Sequence, residues 1–235
     1  MKLFSLVIPC YNEGPNIPVL FEKLGNVCHD SEIEVIFVNN GSNDDSKNIF
    51  DEFILRYSFA RIVNVYPNQG YGFGILSGLK EAQGEFVGWT HADLQTDPSD
   101  PIRGFKTLAE VDQKATFLKG LRRNRPFSDQ AFTWGMSLFE SLLFGFRLWD
   151  INAQPTLFHR SLMDTWVNPP YDFSLDLYVY LQACRQGFSI MRMPVVFPPR
   201  KFGTSHWNTG FWAKWKFIRR TIDFSLKLRK EIRFS

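Results

Sequence analysis

Glu85-Phe-Val-Gly-Trp-Thr-His-Ala-Asp-Leu-Gln-Thr-Asp-Pro98 is the stretch that decides how this chain is read. Residues 86–90 form an apolar run that reads as a buried strand, and polar groups gather at its carboxyl end. There His91, Asp93 and Gln95 alternate, so an extended backbone would aim all three side chains one way. An imidazole, a carboxylate and an amide oxygen that converge can hold a divalent cation. The carboxyl end of a strand is also where open α/β sheets bind ligands. The same segment carries a helix-start signal, with Thr96 or Asp97 as cap and Pro98 in the first turn. Capping accounts for Asp97 and Pro98 but not for Asp93, which makes Asp93 the first candidate for a functional carboxylate.

Outward from this stretch, short apolar runs alternate with segments of helical spacing. Strands are expected over residues 2–8, 33–38, 61–66 and 86–90. Helices are expected over about 17–28, from Asp44 or Asp45, and from the glycine loop to about Ala82. Farther on, a strand is expected at 114–118, helices at 128–144 and 173–186, and a late strand at 189–196. Strands and helices in alternation predict an α/β fold whose mainly parallel sheet is covered on both faces. The chain has no internal repeat and no linker rich in Pro, Gly or Ser. The expected organisation is one domain over 1–206, followed by a basic, aromatic helical tail over 207–235.

Composition narrows the class. In 235 residues, 44% are hydrophobic, enough for a substantial core, so disorder is excluded. Three widely spaced cysteines with no Cys-x-x-Cys read as reduced, buried thiols, which suits a cytosolic protein. The apolar run after Met1 is too short for a signal peptide, and no 18-residue apolar stretch predicts a membrane span. The net charge is +3, but residues 207–235 alone carry a net +6, so the main body is slightly acidic. That argues against nucleic acid as a partner of the main body.

Four loops leave the carboxyl ends of the first four strands: Pro9-Cys-Tyr-Asn-Glu-Gly14, Asn39-Asn-Gly-Ser42, Asn68-Gln-Gly-Tyr-Gly72 and His91-Ala-Asp-Leu-Gln95. In a parallel sheet all four lie at one edge, and their polar groups can meet in one cleft. Each loop taken alone is also an ordinary turn.

As a set these motifs resemble the family-2 glycosyltransferases, which have a nucleotide-binding GT-A fold. Val7-Ile-Pro-Cys-Tyr-Asn-Glu13 is similar to their opening strand and loop, and Val38-Asn-Asn-Gly-Ser42 to their Val-Asp-Asp-Gly-Ser. Asn68-Gln-Gly-Tyr-Gly72, with Ser77-Gly78-Leu79, looks like their glycine loop and the helix after it. His91-Ala-Asp-Leu-Gln95 resembles the Asp-Ala-Asp-Leu-Gln of their polyprenyl-phosphate sugar synthases, and Arg200-Lys-Phe-Gly-Thr-Ser205 that branch's Arg-x-x-Gly-x-Ser. The resemblance runs in order from residue 3 to about 207.

It implies a single GT-A type domain and assigns roles. Pro9, Tyr11, Glu13, Asn39, Asn40 and Gly70 would line the donor nucleotide. Asp93, with His91 and Gln95, would hold Mn²⁺ or Mg²⁺ against the donor diphosphate, offsetting charge on the leaving group. Arg200 would add a second cation there. Arg122, Arg125 and Ser205 would meet the acceptor. Asp176, in Phe173-Ser-Leu-Asp-Leu177, falls where many family-2 enzymes carry a general base, with Asp172 in reserve. Its bland reading is a helix N-terminal carboxylate.

The chain also departs from the branch. His91 stands in place of an Asp, which favours Mn²⁺ over Mg²⁺. Asn39-Asn40 replaces an Asp pair, and an amide both donates and accepts, so the base stays open. The second Arg usual in the helix after Arg125 is missing near residues 132–137. No role is evident for Asp150-Ile-Asn-Ala-Gln-Pro155.

In the tail, Phe211, Trp215, Ile218, Ile222 and Leu226 share one helical face, with Lys216, Arg220, Asp223 and Lys227 opposite. An amphipathic helix of this kind suits an anionic membrane surface, and equally a helix packed on its own domain. The expectation is an inverting, metal-dependent glycosyltransferase that moves a sugar from a nucleotide donor to a polyprenyl phosphate. It would sit peripherally on the cytoplasmic face of the cell membrane. The alternatives are transfer to a hydroxyl of a surface glycan, and a non-catalytic nucleotide-binding relative. A nicotinamide oxidoreductase does not fit, because the first strand–helix turn lacks Gly-x-Gly-x-x-Gly.

Overall fold

The computed structural model describes residues 3–108, 110–111, 114–198 and 211–233. In chain order they form β1 (Phe4–Cys10), α1 (Ile17–Gly25), β2 (Ile33–Asn40), α2 (Ser46–Phe53), β3 (Ala60–Val65), α3 (Tyr71–Glu81) and β4 (Phe86–Trp89). Then come α4 (Asp100–Leu108), β5 (Thr116–Arg123), α5 (Phe127–Phe144), β6 (Thr156–His159), α6 (Leu175–Arg185), β7 (Ser189–Val196) and α7 (Phe211–Arg233). The seven strands make one sheet in the order β3-β2-β1-β4-β6-β5-β7. β1 pairs in parallel with β2 and β4, and β5 with β7, while β6 runs antiparallel to β4 and β5.

Alternating side chains send each strand's residues to opposite faces. Val7, Ile36 and Val38 join the core under α3, α6 and α7, which includes Leu79, Leu177 and Leu228. Leu6, Ile8, Val35 and Phe37 join the other core, with Phe21 and Leu24 of α1, Phe50 of α2 and Ile102 of α4. At Gly78, α3 comes so close to the sheet that a Cβ would lie 2.4 Å from Val7 Cγ1. All three cysteines are free thiols.

The chain steps outward from β1 to β3 and then returns to place β4 on the other side of β1. That reversal puts the switch point at the carboxyl ends of β1 and β4, where an α/β sheet opens a crevice. Three local expectations are corrected. α4 starts at Asp100 rather than around Pro98, although Asp97 does cap the turn before it, accepting from the Ser99 amide at 3.0 Å. β5 runs five residues past its expected end, because the polar Lys119–Arg123 segment pairs in register with Arg192–Val196. β6 was not anticipated, since four residues are too short to display a period of their own.

Candidate functional site

A cavity of about 1310 Å³ opens at the switch point, and all four strand-end loops contribute to its wall. Of the expected donor-site residues, Pro9, Tyr11, Glu13, Asn40, Gly70 and Asp93 line it. Asn39 does not. Its amide donates to Asn64 Oδ1 at 3.2 Å and its carbonyl oxygen accepts from the Ser42 amide, so it braces the β2 turn. Asn40 is spent on one side only. Its Nδ2 donates to the Gly70 carbonyl at 2.9 Å, and its Oδ1 is buried with no hydrogen-bond partner. A carbonyl can only accept, so this contact fixes which way the amide points. Gly70 itself has φ +110°, and a Cβ there would lie 2.4 Å from the Tyr171 carbonyl. The glycine loop thus packs on residues 170–172.

His91, Asp93 and Gln95 all line the cavity, but not through the extended backbone that their alternation suggested. Leu94 has φ +56°, and Asp93 Oδ1 accepts from the Gln95 amide at 3.1 Å, so the segment is a tight turn. Burial pushes the His91 imidazole below its usual pKa, against the pull of the Asp93 and Asp176 carboxylates. A neutral imidazole keeps a lone pair available for a metal. Gln95 donates Nε2 to the Pro198 carbonyl at 3.4 Å. Among the described residues no cluster of three His, Cys, Asp or Glu side chains is placed to hold a metal. One carboxylate and one neutral imidazole therefore fit a divalent ion only if a bound diphosphate supplies further oxygens, as Mg²⁺ and Mn²⁺ sites on nucleotides do.

Part of the cavity wall is basic. Arg122 and Arg125 line it, and both guanidinium groups lie over the Phe197 ring, at 5.3 and 5.7 Å. Asp150 organises them. It accepts from Arg122 Nε and from the Arg122 amide, each at 2.9 Å, and lies 3.9 Å from Arg125. Burial pushes the Asp150 carboxyl up, but the charge and hydrogen bonds of Arg122 outweigh it and hold the carboxyl below its usual range. Asp150 is thus the role that the Asp150–Pro155 segment lacked. From α7, Arg219 and Arg220 reach the same cavity, and Arg220 Nε lies 3.4 Å from Asp172. Arg200 and Ser205 lie outside the described residues.

Asp176 lines the cavity from the first turn of α6, yet it is more than a helix-terminal charge. It is 1% exposed and paired at 2.8 Å with Lys119, which is 0% exposed. Burial pushes the Lys119 ammonium down from its usual pKa, and the Asp176 carboxylate pulls the other way. Sequence reasoning missed Lys119, because a lysine beside three arginines looks like part of a solvated basic run. It also missed Gln154, Tyr71 and Glu140. For Lys119 the only available signal was its even spacing from Phe117 within the strand.

α7 docks on the domain through Ser225 and Leu228, both buried. Ser225 Oγ donates to Glu140 Oε1 of α5 at 2.7 Å. Trp215 and Leu226, from the expected apolar face, stay exposed. No helix among the described residues is long and apolar enough to cross a membrane.

Known proteins resemble this chain in sequence and in fold. An undecaprenyl-phosphate 4-deoxy-4-formamido-L-arabinose transferase from Klebsiella pneumoniae is 24% identical over 216 residues, 88% of this chain and 63% of that one. Its counterpart from Pseudomonas syringae pv. syringae is 36% identical over 114 residues, 47% of this chain and 33% of that one. The chain thus spans from one third to under two thirds of the length of these relatives. Glucosyl-3-phosphoglycerate synthase from Mycobacterium tuberculosis, solved with UDP, superposes with a TM-score of 0.75 at 17% identity, over 97% of this chain and 80% of that one. The same enzyme has been crystallised with Mn²⁺ and with Mg²⁺. A Pyrobaculum calidifontis mannosyltransferase in complex with GDP-Man and Mn²⁺ superposes with a TM-score of 0.64 at 19% identity, over 85% of this chain and 58% of that one. These superpositions show a shared GT-A fold. The family model of Glycosyl transferase family 2 matches residues 5–163, a span that holds all four strand-end loops, and the chain therefore belongs to glycosyl transferase family 2.

Proposed function

We propose that the protein transfers a sugar from a nucleoside-diphosphate donor to a polyprenyl phosphate, with inversion at the anomeric carbon. One observation carries the reading. A single cavity is lined by Tyr11 and Asn40, by the His91–Asp93–Gln95 turn, and by Arg122 and Arg125. Asp93 and His91 would hold Mn²⁺ or Mg²⁺, which when bound offsets charge on the departing diphosphate. Arg122 and Arg125 would hold the acceptor phosphate, with Arg200 and Ser205 as further donor and acceptor ligands. An acceptor phosphate is already ionised at neutral pH. Its oxygen can attack the anomeric carbon from the face opposite the diphosphate without losing a proton first. A sugar hydroxyl, the rival acceptor, needs a base.

Asn40 bears on the base. Its unpartnered Oδ1 asks for an N–H, which uracil and guanine offer at a ring nitrogen and cytosine only at its exocyclic amine, so a ring N–H partner would favour the first two. A cell-membrane site on the cytoplasmic side belongs to the same reading, since a polyprenyl phosphate stays in the bilayer. The named activity of the arabinose transferases supports the lipid-phosphate class, although the chain covers only part of their length.

The test is a thermal-shift series with UDP, GDP and CDP, with and without Mn²⁺, followed by a transfer assay on undecaprenyl phosphate. A ligand bound only by the folded state raises Tm by mass action. Metal-dependent shifts with UDP or GDP, and product on the lipid, are expected. Transfer to polyprenol, which lacks the phosphate, would favour the hydroxyl acceptor.

A further inference from the structure

One buried cation has no part in the reaction as described. Lys119 is wholly buried in β5, and its ammonium group is built into a ring of four side chains. It donates to Asp176 Oδ1 at 2.8 Å and to Thr156 Oγ1 at 2.7 Å. The Thr156 hydroxyl, its lone pair taken, donates to Gln154 Oε1 at 2.9 Å. Gln154 Nε2 closes the ring on Asp176 Oδ1 at 2.7 Å and spends its second hydrogen on the Tyr71 hydroxyl at 3.2 Å. Every donor has a fixed direction, so the Asp176 carboxylate cannot turn.

The ring leaves one atom over. Asp176 Oδ1 takes two donors, and the Tyr71 hydroxyl also interacts with this carboxylate, whereas Oδ2 is buried, part of a cavity-lining side chain, and makes no hydrogen bond within 3.5 Å. A buried acceptor with no donor is a rare and costly feature that points to a ligand. Its place names the ligand's chemistry. Tyr71 stacks on Phe173 at 4.5 Å and lies 5.5 Å from the His91 ring, so the carboxylate sits beside the diphosphate end of the donor site. The group attached to that diphosphate is a sugar, and sugars present O–H donors.

Building on the proposed glycosyl transfer, we propose that Asp176 reads the donor sugar through a hydrogen bond from a sugar hydroxyl to Oδ2, and that Lys119 is the positioning residue that holds it there. Asp176 then works as a fixed acceptor and not as the general base. Taking up a proton would leave the Lys119 ammonium buried without its counter-charge.

Asp176→Asn tests the first half. With its carbonyl oxygen held by Lys119 and Gln154, the amide presents an N–H₂ where Oδ2 stood. Calorimetric titration in Mn²⁺ would compare UDP with UDP-glucose and UDP-N-acetylglucosamine, and GDP with GDP-mannose. The ratio of sugar-nucleotide to plain-diphosphate dissociation constants is expected to rise at least tenfold in the variant, with UDP and GDP affinities unchanged. An unchanged ratio overturns the proposal, as does wild-type protein that binds UDP or GDP but none of the three sugars. A collapse of kcat at an unchanged ratio restores the base. If neither UDP nor GDP binds, the glycosyl-transfer reading itself fails, and this proposal with it.

Lys119→Met tests the second half. The single variant should lose both Tm and the wild-type ratio, and adding Asp176→Asn should recover Tm but not the ratio. If the single variant does not fold, the double variant decides alone. A double variant as unstable as the single denies the ion pair, and one that recovers the wild-type ratio denies that Asp176 reads the sugar.

Discussion

At the scale of single residues, two cavity-lining side chains have one half spent on the protein and the other buried without a hydrogen-bond partner. Asn40 shows this with its amide, and Asp176 with its two oxygens. Asp93 is the carboxylate of the His91–Asp93–Gln95 set. Removing it in Asp93→Ala is expected to lower kcat/KM about a thousandfold, the range for loss of a group that stabilises transition-state charge. Retention of substantial metal-dependent turnover would mean that the site is misassigned. His91→Asp adds a carboxylate, and a hard cation prefers oxygen ligands, so the preference for Mn²⁺ over Mg²⁺ should shrink or reverse. Activity measured across both metals checks this. If Asn40 Oδ1 meets a ring N–H, which cytosine lacks, UDP or GDP should bind about tenfold more tightly than CDP, the worth of one buried hydrogen bond made or left unmade. Asn40→Ala should erase that preference. Asn40, His91 and Asp93 could be placed at the cavity from the sequence because each stands at or just past a strand end. Lys119 and Gln154 could not, since only the pairing of β5 with its neighbours buries a lysine and swings a loop amide beneath α6.

Among the elements, the strands with an alternating or wholly apolar pattern were the readable ones. β7 falls where its spacing predicted, whereas β6 and the far half of β5 form only because partner strands supply the hydrogen bonds. The contact between α5 and α7 belongs to this scale too, and it joins residues 85 apart in sequence. Glu140 is 1% exposed, its Oε1 takes the Ser225 hydroxyl, and its Oε2 has no hydrogen-bond partner. Burial pushes its carboxyl up from 4.5 to about 7, only partly offset by Ser225. The folded state therefore holds a proton that the unfolded chain has already released. Stability is full below the unfolded value near 4.5 and falls as pH rises through about 7. The loss is on the order of 3 kcal/mol. Glu140→Gln should recover most of it at pH 8 and change little at pH 4.5. Urea melts at the two pH values check this, and equal effects at both would show that Glu140 is not the titrating group.

On the scale of the whole molecule, the cavity and an apolar surface share the same two helices. α5 lines the cavity with Phe132, Met136 and Glu140. Its outer face carries Phe127, Trp134, Leu138 and Leu142, which are 46–77% exposed and spaced so that one stripe runs along the helix. α7 adds exposed Trp215 and Leu226 beside Arg219, Arg220, Lys227 and Lys230. An acceptor anchored in a bilayer would reach the basic part of the cavity directly if this surface lay on the membrane. Such an interface combines apolar insertion with roughly 1 kcal/mol per basic residue near anionic lipid. Deleting α7 would also strip Leu228 from the core, so point substitutions on the outer face separate binding from folding. Leu138→Glu with Leu142→Glu replaces two exposed side chains, each worth up to about 2 kcal/mol if buried in lipid. The wild type is expected to sediment with phosphatidylglycerol vesicles at low salt, and less at physiological salt, where screening shortens to about 8 Å. The double variant should bind at least tenfold more weakly while keeping its Tm and its response to UDP or GDP. Vesicle binding equal to wild type would place the membrane contact elsewhere on the surface, whereas a lowered Tm would show that the stripe serves the fold.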